Sequence, residues 1–110
     1  MNGNFIITGA AQGFGREFTR RVLKGGGKVV LADKNVEVGE KTCHEMVEQF
    51  GDGRCVFAEL DVTDRDNWRK VWTVAETFFN NKIDVLVNNA GVSPKLGFDI
   101  CMKVNLYWQR

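Results

Sequence analysis

The sequence predicts an α/β fold built on a parallel sheet with helices on both faces. Short apolar runs alternate with longer amphipathic stretches along the chain, in the order β-α-β-α-β-α-β-α. This alternation is typical of parallel strands joined by helical crossovers. The first, second and fourth apolar runs are continuous, as parallel strands covered on both sides should be. Right-handed crossovers then give the strand order 3-2-1-4, the first half of a doubly wound sheet.

Four short apolar segments are predicted to form the strands of this sheet. The first, Phe5 to Thr8, contains β-branched residues and is bounded by Asn4 and Gly9. A Gly-Asp-Gly turn at residues 51–53 precedes the third. The predicted strands are residues 5–8, 28–32, 54–60 and 83–87.

Amphipathic helices are predicted to follow the first two strands. One begins at Phe14, places apolar residues every four positions and ends at the glycines of residues 25–27. The next covers residues 36–50, where apolar side chains recur at offsets of three, four and seven.

Two further helices are expected in the second half of the chain. Thr63 with Asp66 resembles a capping box, with Asp in place of the usual Glu or Gln. The helix that this pair would begin continues to Phe79 and carries a strong apolar stripe. From Gly97 to the end, the sequence again favours a helix.

Size and composition fit one globular domain. The chain has 110 residues, of which 44% are hydrophobic and 26% charged, and its net charge is +1. Because no block of like charge is present, nothing attracts nucleic acid or a membrane surface electrostatically. The start lacks the charged region of a signal peptide, and no apolar run is long enough to span a membrane. We therefore expect a cytoplasmic protein.

The cysteines and the single histidine offer little chemistry. Cys43, Cys55 and Cys101 show neither a metal-binding pattern nor an even disulfide framework, which favours reduced core thiols and no metal. His44 lies on a charged helix face, where we expect it to be exposed and without a partner. Ser93 precedes a proline with no histidine nearby, so a nucleophilic role is not expected.

A glycine-rich turn, residues 8–15, lies between the first strand and the first helix. Glycine also serves ordinary turns and helix caps, but a strand before, a helix after and an acidic residue beyond the second strand favour phosphate binding. Gly9 permits the tight turn, Gly13 lets backbone approach a pyrophosphate, and Gly15 allows the helix to pack closely. The helix N-terminus would then face the phosphates.

Asp33 follows the second strand, where a carboxylate can accept hydrogen bonds from the ribose hydroxyls of an adenosine. A 2′-phosphate would meet like charge there, so Asp33 favours NAD over NADP. The neighbouring Lys34 could accommodate a phosphate, but Gln12, before the second glycine, is not basic. The alternative is a solvated loop aspartate. We expect NAD, with NADP the less favoured cofactor.

These motifs together resemble the short-chain dehydrogenase/reductase family. The spacing Gly-x-x-x-Gly-x-Gly in residues 9–15, Leu-Asp-Val-Thr-Asp at residues 60–64 and Asn-Asn-Ala-Gly at residues 88–91 stand in the family's order after successive strands. The resemblance covers essentially the whole chain and implies a partial Rossmann fold. It also implies that Asp61 hydrogen-bonds the adenine amino group with Val62 beside it, and that Asn89 contacts the adenine ribose.

The resemblance implies a set of cofactor contacts that includes Phe14, which replaces the usual Ile or Leu. The full set is Gly9, Gln12, Gly13, Phe14, Gly15, Asp33, Lys34, Asp61, Val62, Asn89, Ala90 and Gly91.

The activity implied is NAD-dependent hydride transfer to or from a secondary alcohol or ketone, for example a hydroxylated fatty acid. The family uses a tyrosine as acid/base, a lysine four residues on and a serine upstream. Tyr107 comes too early in the sequence to be this tyrosine, and the position four residues after it lies beyond Arg110. Asn105 alone matches an active-site member, the asparagine that holds a relay water.

We therefore expect residues 1–110 to be one NAD(P)-binding domain that ends before the catalytic half and is inactive alone. The complete enzyme would act on a small molecule and form a homodimer or tetramer. The alternative is a non-catalytic dinucleotide-binding or interaction module from a truncated isoform.

Overall fold

The structure, a computed structural model, describes residues 2–89 and the backbone of residues 99–102. Strands and helices alternate up to the fourth strand, as predicted. The elements are β1 (Asn4–Thr8), α1 (Gly13–Lys24), β2 (Lys28–Asp33), α2 (Val36–Phe50), β3 (Cys55–Glu59), α3 (Arg65–Phe78), β4 (Val85–Asn88) and β5 (Asp99–Met102).

The strands form one sheet in the order β3-β2-β1-β4-β5. The four strands from β3 to β4 are parallel, which confirms the predicted order 3-2-1-4. Ile6 of β1 is aligned with Val30 of β2 on one side and with Leu86 of β4 on the other. Since all four strands run the same way, their carboxyl ends meet at one edge of the sheet.

The prediction of a helix from Gly97 onward is wrong for residues 99–102. These residues form β5, which runs antiparallel to β4 and pairs Asp99 with Asn88 and Met102 with Val85. The physical reason is the free edge of β4, because unpaired N–H and C=O groups along an apolar strand favour pairing with another strand. The remaining residues of that predicted helix, 97–98 and 103–110, lie outside the described part of the chain.

Side chains of the sheet alternate between two cores, one on each face. On one face Phe5 and Ile7 of β1 pack with the apolar residues of α1 and α2, such as Val22 and Met46. On the other face Ile6 packs with residues of α3. The helices therefore bury most of the apolar positions that their sequence periodicity predicts, but Phe14, the first apolar position predicted for α1, is exposed.

The start of α3 differs by one residue from the predicted capping box. Asp64, not Thr63, is the N-cap, and its side chain accepts hydrogen bonds from the backbone N–H groups of Asp66 at 2.9 Å and Asn67 at 3.3 Å. The hydroxyl of Thr63 instead donates to the carboxylate of Asp61 at 2.6 Å. Aspartate is as good an N-cap as threonine. Because the hydroxyl of Thr63 is already bonded to Asp61, Asp64 takes the N-cap position.

Arg54 joins the far ends of two helices to the sheet. Its guanidinium donates to the carbonyl oxygens of Leu23 at 2.5 Å and Gly27 at 2.8 Å, and reaches that of Phe50 at 3.5 Å. Leu23 and Phe50 lie at the C-terminal ends of α1 and α2, where carbonyls lack intrahelical partners.

Of the helices in the described ranges, none is long and apolar enough to cross a membrane.

Helix α2 packs closely against β3 at Gly39. A Cβ built there would lie 2.1 Å from Cε1 of Phe57, well inside contact distance. Glycine inside a helix ordinarily costs about 1 kcal/mol relative to alanine. Its presence here is explained by the aromatic ring that occupies the space of the missing side chain.

We predict that Gly39→Ala lowers the free energy of unfolding by about 1–2 kcal/mol, because the cost of overpacking exceeds the gain in helix propensity. In a Phe57→Val background, where the ring is gone, the same substitution should be neutral or stabilising. Urea denaturation of the four proteins of this cycle measures both effects. A stabilising Gly39→Ala in the wild-type background would contradict the contact.

Candidate functional site

A cavity of about 320 Å³ opens at the carboxyl ends of the first three strands. Six of the residues that line it are cofactor contacts predicted from the sequence. The other two, Leu60 and Thr63, are not among the predicted contacts. The lining residues are Gly9, Gln12, Asp33, Lys34, Leu60, Asp61, Val62 and Thr63.

The glycine loop, residues 9–15, wraps from the end of β1 into α1. Gly9 and Gly13 have φ angles of 61° and 62°, the left-handed region that glycine adopts at low cost. A Cβ at Gly15 would lie 2.2 Å from the carbonyl oxygen of Gly9. The structure thus places a tight turn at Gly9 and close helix packing at Gly15, as the sequence predicts.

The end of β4 supports the same turn. The side-chain amide of Asn89 donates to the carbonyl oxygen of Gly9 at 3.0 Å. Beside it, the hydroxyl of Thr8 lies 3.1 Å from Oδ1 of Asn88. Asn89 therefore fixes the glycine loop, and its contact with a ribose stays a prediction.

Asp33 is held in place by two backbone groups. Its Oδ2 accepts a hydrogen bond from the N–H of Ala11 at 3.0 Å, and its Oδ1 accepts one from the N–H of Asn35 at 2.9 Å. Carboxylate oxygens have about four acceptor positions between them, so these bonds leave capacity for a ligand. The carboxylate is therefore oriented before any ligand arrives.

The carbonyl of Ala11 is also held, from the other side of the loop. It accepts a hydrogen bond from the buried hydroxyl of Thr42 on α2 at 2.6 Å. The preceding residue, Ala10, donates its N–H to the carbonyl of Ala32 on β2 at 3.2 Å. Strand β2 and helix α2 thus hold the middle of the glycine loop between them.

Asp61 is an exposed carboxylate with a local support of its own. Its Oδ1 accepts from the hydroxyl of Thr63 at 2.6 Å and from the backbone N–H of Thr63 at 3.0 Å. These hydrogen bonds, with a smaller contribution from the charge of Lys34, hold the pKa of Asp61 below its ordinary value. Asp61 is accordingly an anion and a hydrogen-bond acceptor at neutral pH.

The first turn of α1 presents backbone and one aromatic ring. Gln12 is the N-cap in an extended conformation, and within the described residues its side chain makes no capping hydrogen bond to the helix. Phe14 is 59% exposed. A Cβ at Gly13 would meet nothing within 4 Å, so space is open beside the loop. Gly13, Phe14 and Gly15 lie beside the cavity residues in sequence but do not line the cavity itself.

Several of the residues discussed in the sequence analysis cannot be assigned to the site. Ala90, Gly91 and Asn105 lie outside the described residues, as does Ser93. His44 is exposed, with 72% of its side chain accessible, but the expectation that it has no partner is wrong, because its Nε2 lies 3.5 Å from a carboxylate oxygen of Glu48. Over residues 2–89, no group of three or more His, Cys, Asp and Glu side chains could hold a metal ion.

Sequence reasoning missed the two threonines that brace the site. Thr42 stands on the buried side of α2, and a buried hydroxyl in a helix is a weak signal because it can also bond its own helix. Thr63 follows Asp61 at the spacing of an Asx-type turn, a local pattern that could have been recognised.

The fold and the position of this cavity define a doubly wound domain of the Rossmann type. A family model described as short chain dehydrogenase matches residues 4–107. The chain belongs to the short-chain dehydrogenase family.

Curated relatives agree with this assignment. The chain is 39% identical over 107 residues to the bovine (Bos taurus) 15-hydroxyprostaglandin dehydrogenase [NAD(+)] and 37% identical to the human (Homo sapiens) protein of that name. Each alignment covers 96% of this chain and 40% of the relative. The chain thus spans about 40% of the length of these relatives.

Solved structures of the family share the fold but carry different cofactors. The L-sorbose reductase from Gluconobacter frateurii, complexed with NADPH and L-sorbose, matches 83% of this chain and 34% of its own at 27% identity and a TM-score of 0.75. A short-chain dehydrogenase/reductase from Burkholderia phymatum in complex with NAD matches 77% of this chain and 29% of its own, at 26% identity and a TM-score of 0.71.

Details of the sequence also resemble 15-hydroxyprostaglandin dehydrogenases. These details are Asn2-Gly3 ahead of β1, the run Gly-Ala-Ala-Gln-Gly at residues 9–13, and the short segment of residues 92–103. Phe14, Trp68 and Trp72 depart from the pattern.

We predict that Thr42→Val lowers the free energy of unfolding by about 1–3 kcal/mol, because it leaves the buried carbonyl of Ala11 without its hydroxyl partner. The matched control is Thr73→Val, since Thr73 is an exposed helical threonine whose hydroxyl donates to the carbonyl of Arg69 in its own helix. That change should stay within about 0.5 kcal/mol. Equal effects of the two substitutions in urea denaturation would show that the Ala11 contact contributes nothing.

Proposed function

We propose that residues 1–110 form the NAD(P)-binding half of an NAD-dependent oxidoreductase that acts on a secondary alcohol or ketone. The observation that carries this proposal is the carboxylate of Asp33, fixed by two backbone N–H groups in a cavity beside the glycine loop. The adenosine and pyrophosphate of a dinucleotide would occupy this region.

The residues present fit such a cofactor. Space is open beside Gly13, whose missing side chain leaves room for a phosphate near the start of α1. Asp33 would accept hydrogen bonds from the adenosine ribose, and Asp61 from the adenine amino group. Nicotinamide, when bound, supplies the hydride acceptor or donor for the reaction.

The balance of charge in the cavity supports NAD over NADP. Asp33 and Asp61 both line it, against the single cation Lys34. The charge of Lys34 also acts on Asp61, and the two carboxylates leave the lining of the cavity with a net negative charge. Relatives described as NAD(+)-dependent support the same choice.

We predict that the chain binds NADH at least about tenfold more tightly than NADPH, and that Asp33→Asn lowers this ratio by about tenfold, equivalent to about 1.4 kcal/mol. The amide keeps an acceptor oxygen while the repulsive charge is lost. The matched control is Glu59→Gln, because Glu59 is exposed, lies beside Asp33 on β3 and loses the same charge outside the cavity. Fluorescence titration measures both dissociation constants.

Two outcomes of this titration would contradict the proposal. A ratio near one in the wild-type chain would remove the preference for NAD. A chain without saturable binding of either nucleotide would overturn the cofactor site itself. Because a ratio is compared, a general loss of stability in the variant does not mimic the expected result.

The substrate proposed is a hydroxylated fatty acid or a prostaglandin-like molecule. It is supported by the similarity to 15-hydroxyprostaglandin dehydrogenases over 96% of this chain. In the complete enzyme we propose a cytoplasmic homodimer or tetramer in which Asn105 contributes to the active site. The alternative is a non-catalytic dinucleotide-binding or interaction module.

We expect the 110-residue chain to bind NADH but not to reduce NAD with a hydroxylated fatty acid or a prostaglandin as substrate, because the family's Tyr-x-x-x-Lys pair does not occur in these residues. The longest product of the same reading frame should reduce NAD with such an alcohol, which is measured as the absorbance of NADH. Turnover by the 110 residues alone would contradict the assignment of a cofactor-binding half. Binding without turnover in the longest product would favour the non-catalytic module.

A further inference from the structure

Two cysteine thiols face each other between α2 and β3. The Sγ atoms of Cys43 and Cys55 are 3.7 Å apart, within hydrogen-bonding distance for sulfur, and both thiols are free. Cys55 is buried, with 6% of its surface exposed, whereas Cys43 is half-buried. The two residues belong to different secondary-structure elements, and the packing of the helix on the sheet brings their side chains together.

We propose that Cys43 and Cys55 form a redox-modification site, which a peroxide converts reversibly to a disulfide between α2 and β3. The sequence predicts reduced thiols in the core, and that prediction corresponds to the reduced state of this pair. Neither the family's chemistry nor the candidate cofactor site uses either sulfur.

The geometry allows the bond with small movements. A disulfide has a sulfur–sulfur distance of about 2.05 Å, so the two sulfurs must approach by about 1.7 Å from their present separation. Both residues belong to the same apolar cluster, where side-chain rotation and small shifts of the helix can supply this approach. Cysteines whose side chains point apart could not be joined in this way.

The surroundings give the two sulfurs different roles. The hydrogen bond with Cys55 lowers the pKa of the Cys43 thiol, while burial and the charge of Glu40 oppose that change. The hydrogen bond with Cys43 and the burial of Cys55 raise the pKa of the Cys55 thiol. Because the thiolate is the nucleophile, Cys43 is the sulfur that reacts first and Cys55 is the sulfur that resolves it.

The reaction balances in two steps. The Cys43 thiolate attacks one oxygen of hydrogen peroxide, the O–O bond breaks, hydroxide leaves, and Cys43 becomes a sulfenic acid. The sulfur of Cys55 then attacks the sulfur of that sulfenic acid, the S–O bond breaks, and the oxygen leaves as water with the proton of Cys55. The two thiols lose two electrons, and the peroxide is reduced to water. A dithiol reductant reverses the bond by thiol–disulfide exchange.

The site adjoins the glycine loop. Cys43 follows Thr42, whose hydroxyl holds the carbonyl of Ala11. A disulfide at Cys43 therefore fixes α2 to β3 one residue away from the contact that braces the loop.

The test is limited oxidation of the native chain with hydrogen peroxide, followed by denaturation, alkylation and mass spectrometry. In a sample taken before alkylation, we expect the oxidised chain to be lighter than the reduced chain by about 2 Da, the mass of two hydrogens, and its titratable thiols to fall from the 3 in the sequence to one. Trypsin cleaves after Arg54, which separates the two cysteines. A linked pair of peptides, residues 42–54 and 55–65, should therefore appear and should disappear on treatment with dithiothreitol.

Variants and unfolding make the assignment specific. Cys101→Ser should still lose about 2 Da, whereas Cys43→Ser and Cys55→Ser should not. The bond should form faster in the native chain than in chain unfolded by urea, since the fold holds the sulfurs together. The proposal is overturned if Cys101 is found in the linked peptides, if Cys43 proceeds to sulfinic acid with Cys55 still free, or if the native chain reacts no faster than the unfolded one. The peptide map of the wild-type chain decides the matter even if a serine variant does not fold.

Discussion

The carbonyl oxygen of Gly9 is the point at which three segments of the domain meet. The start of α1 passes so close to it that a Cβ at Gly15 would lie 2.2 Å away, and the side-chain amide of Asn89 donates to it from the end of β4. A side chain at residue 15 would push the helix away from the sheet and remove the Asn89 contact. The turn at the end of β1 therefore keeps its shape because residue 15 is glycine and not a larger residue.

The rest of the site is built outward from that turn. Ala11 has both of its backbone groups bound by side chains, its N–H by Asp33 and its carbonyl by Thr42. The same carboxylate that would meet a ribose thus also shapes the loop that would meet the phosphates. A substitution of Asp33 changes two properties at once, and only a comparison between two nucleotides separates the loss of charge from the loss of loop structure.

Local spacing accounts for what the sequence predicts well, and distant contacts account for what it misses. The glycines of residues 9–15 and the acid at Asp33 follow strands at fixed short intervals, so their placement can be derived from the residues alone. Strand β5 cannot, because its pairing depends on the open edge of β4 rather than on its own periodicity. Thr42 is missed for the same reason, since its partner Ala11 is 31 residues away in sequence.

The scaffold alone does not select between the two dinucleotides. Solved relatives in complex with NADPH and with NAD superpose on this chain with TM-scores of 0.75 and 0.71, and both are about equally distant from it in sequence. Because the backbone is shared, discrimination has to come from side chains near the adenosine ribose, where a 2′-phosphate adds negative charge. In this chain the side chain that we propose for that position is Asp33, and its two backbone hydrogen bonds hold the carboxylate in place. A fixed carboxylate excludes a phosphate more strongly than a mobile one, because it cannot relieve the repulsion by moving into solvent.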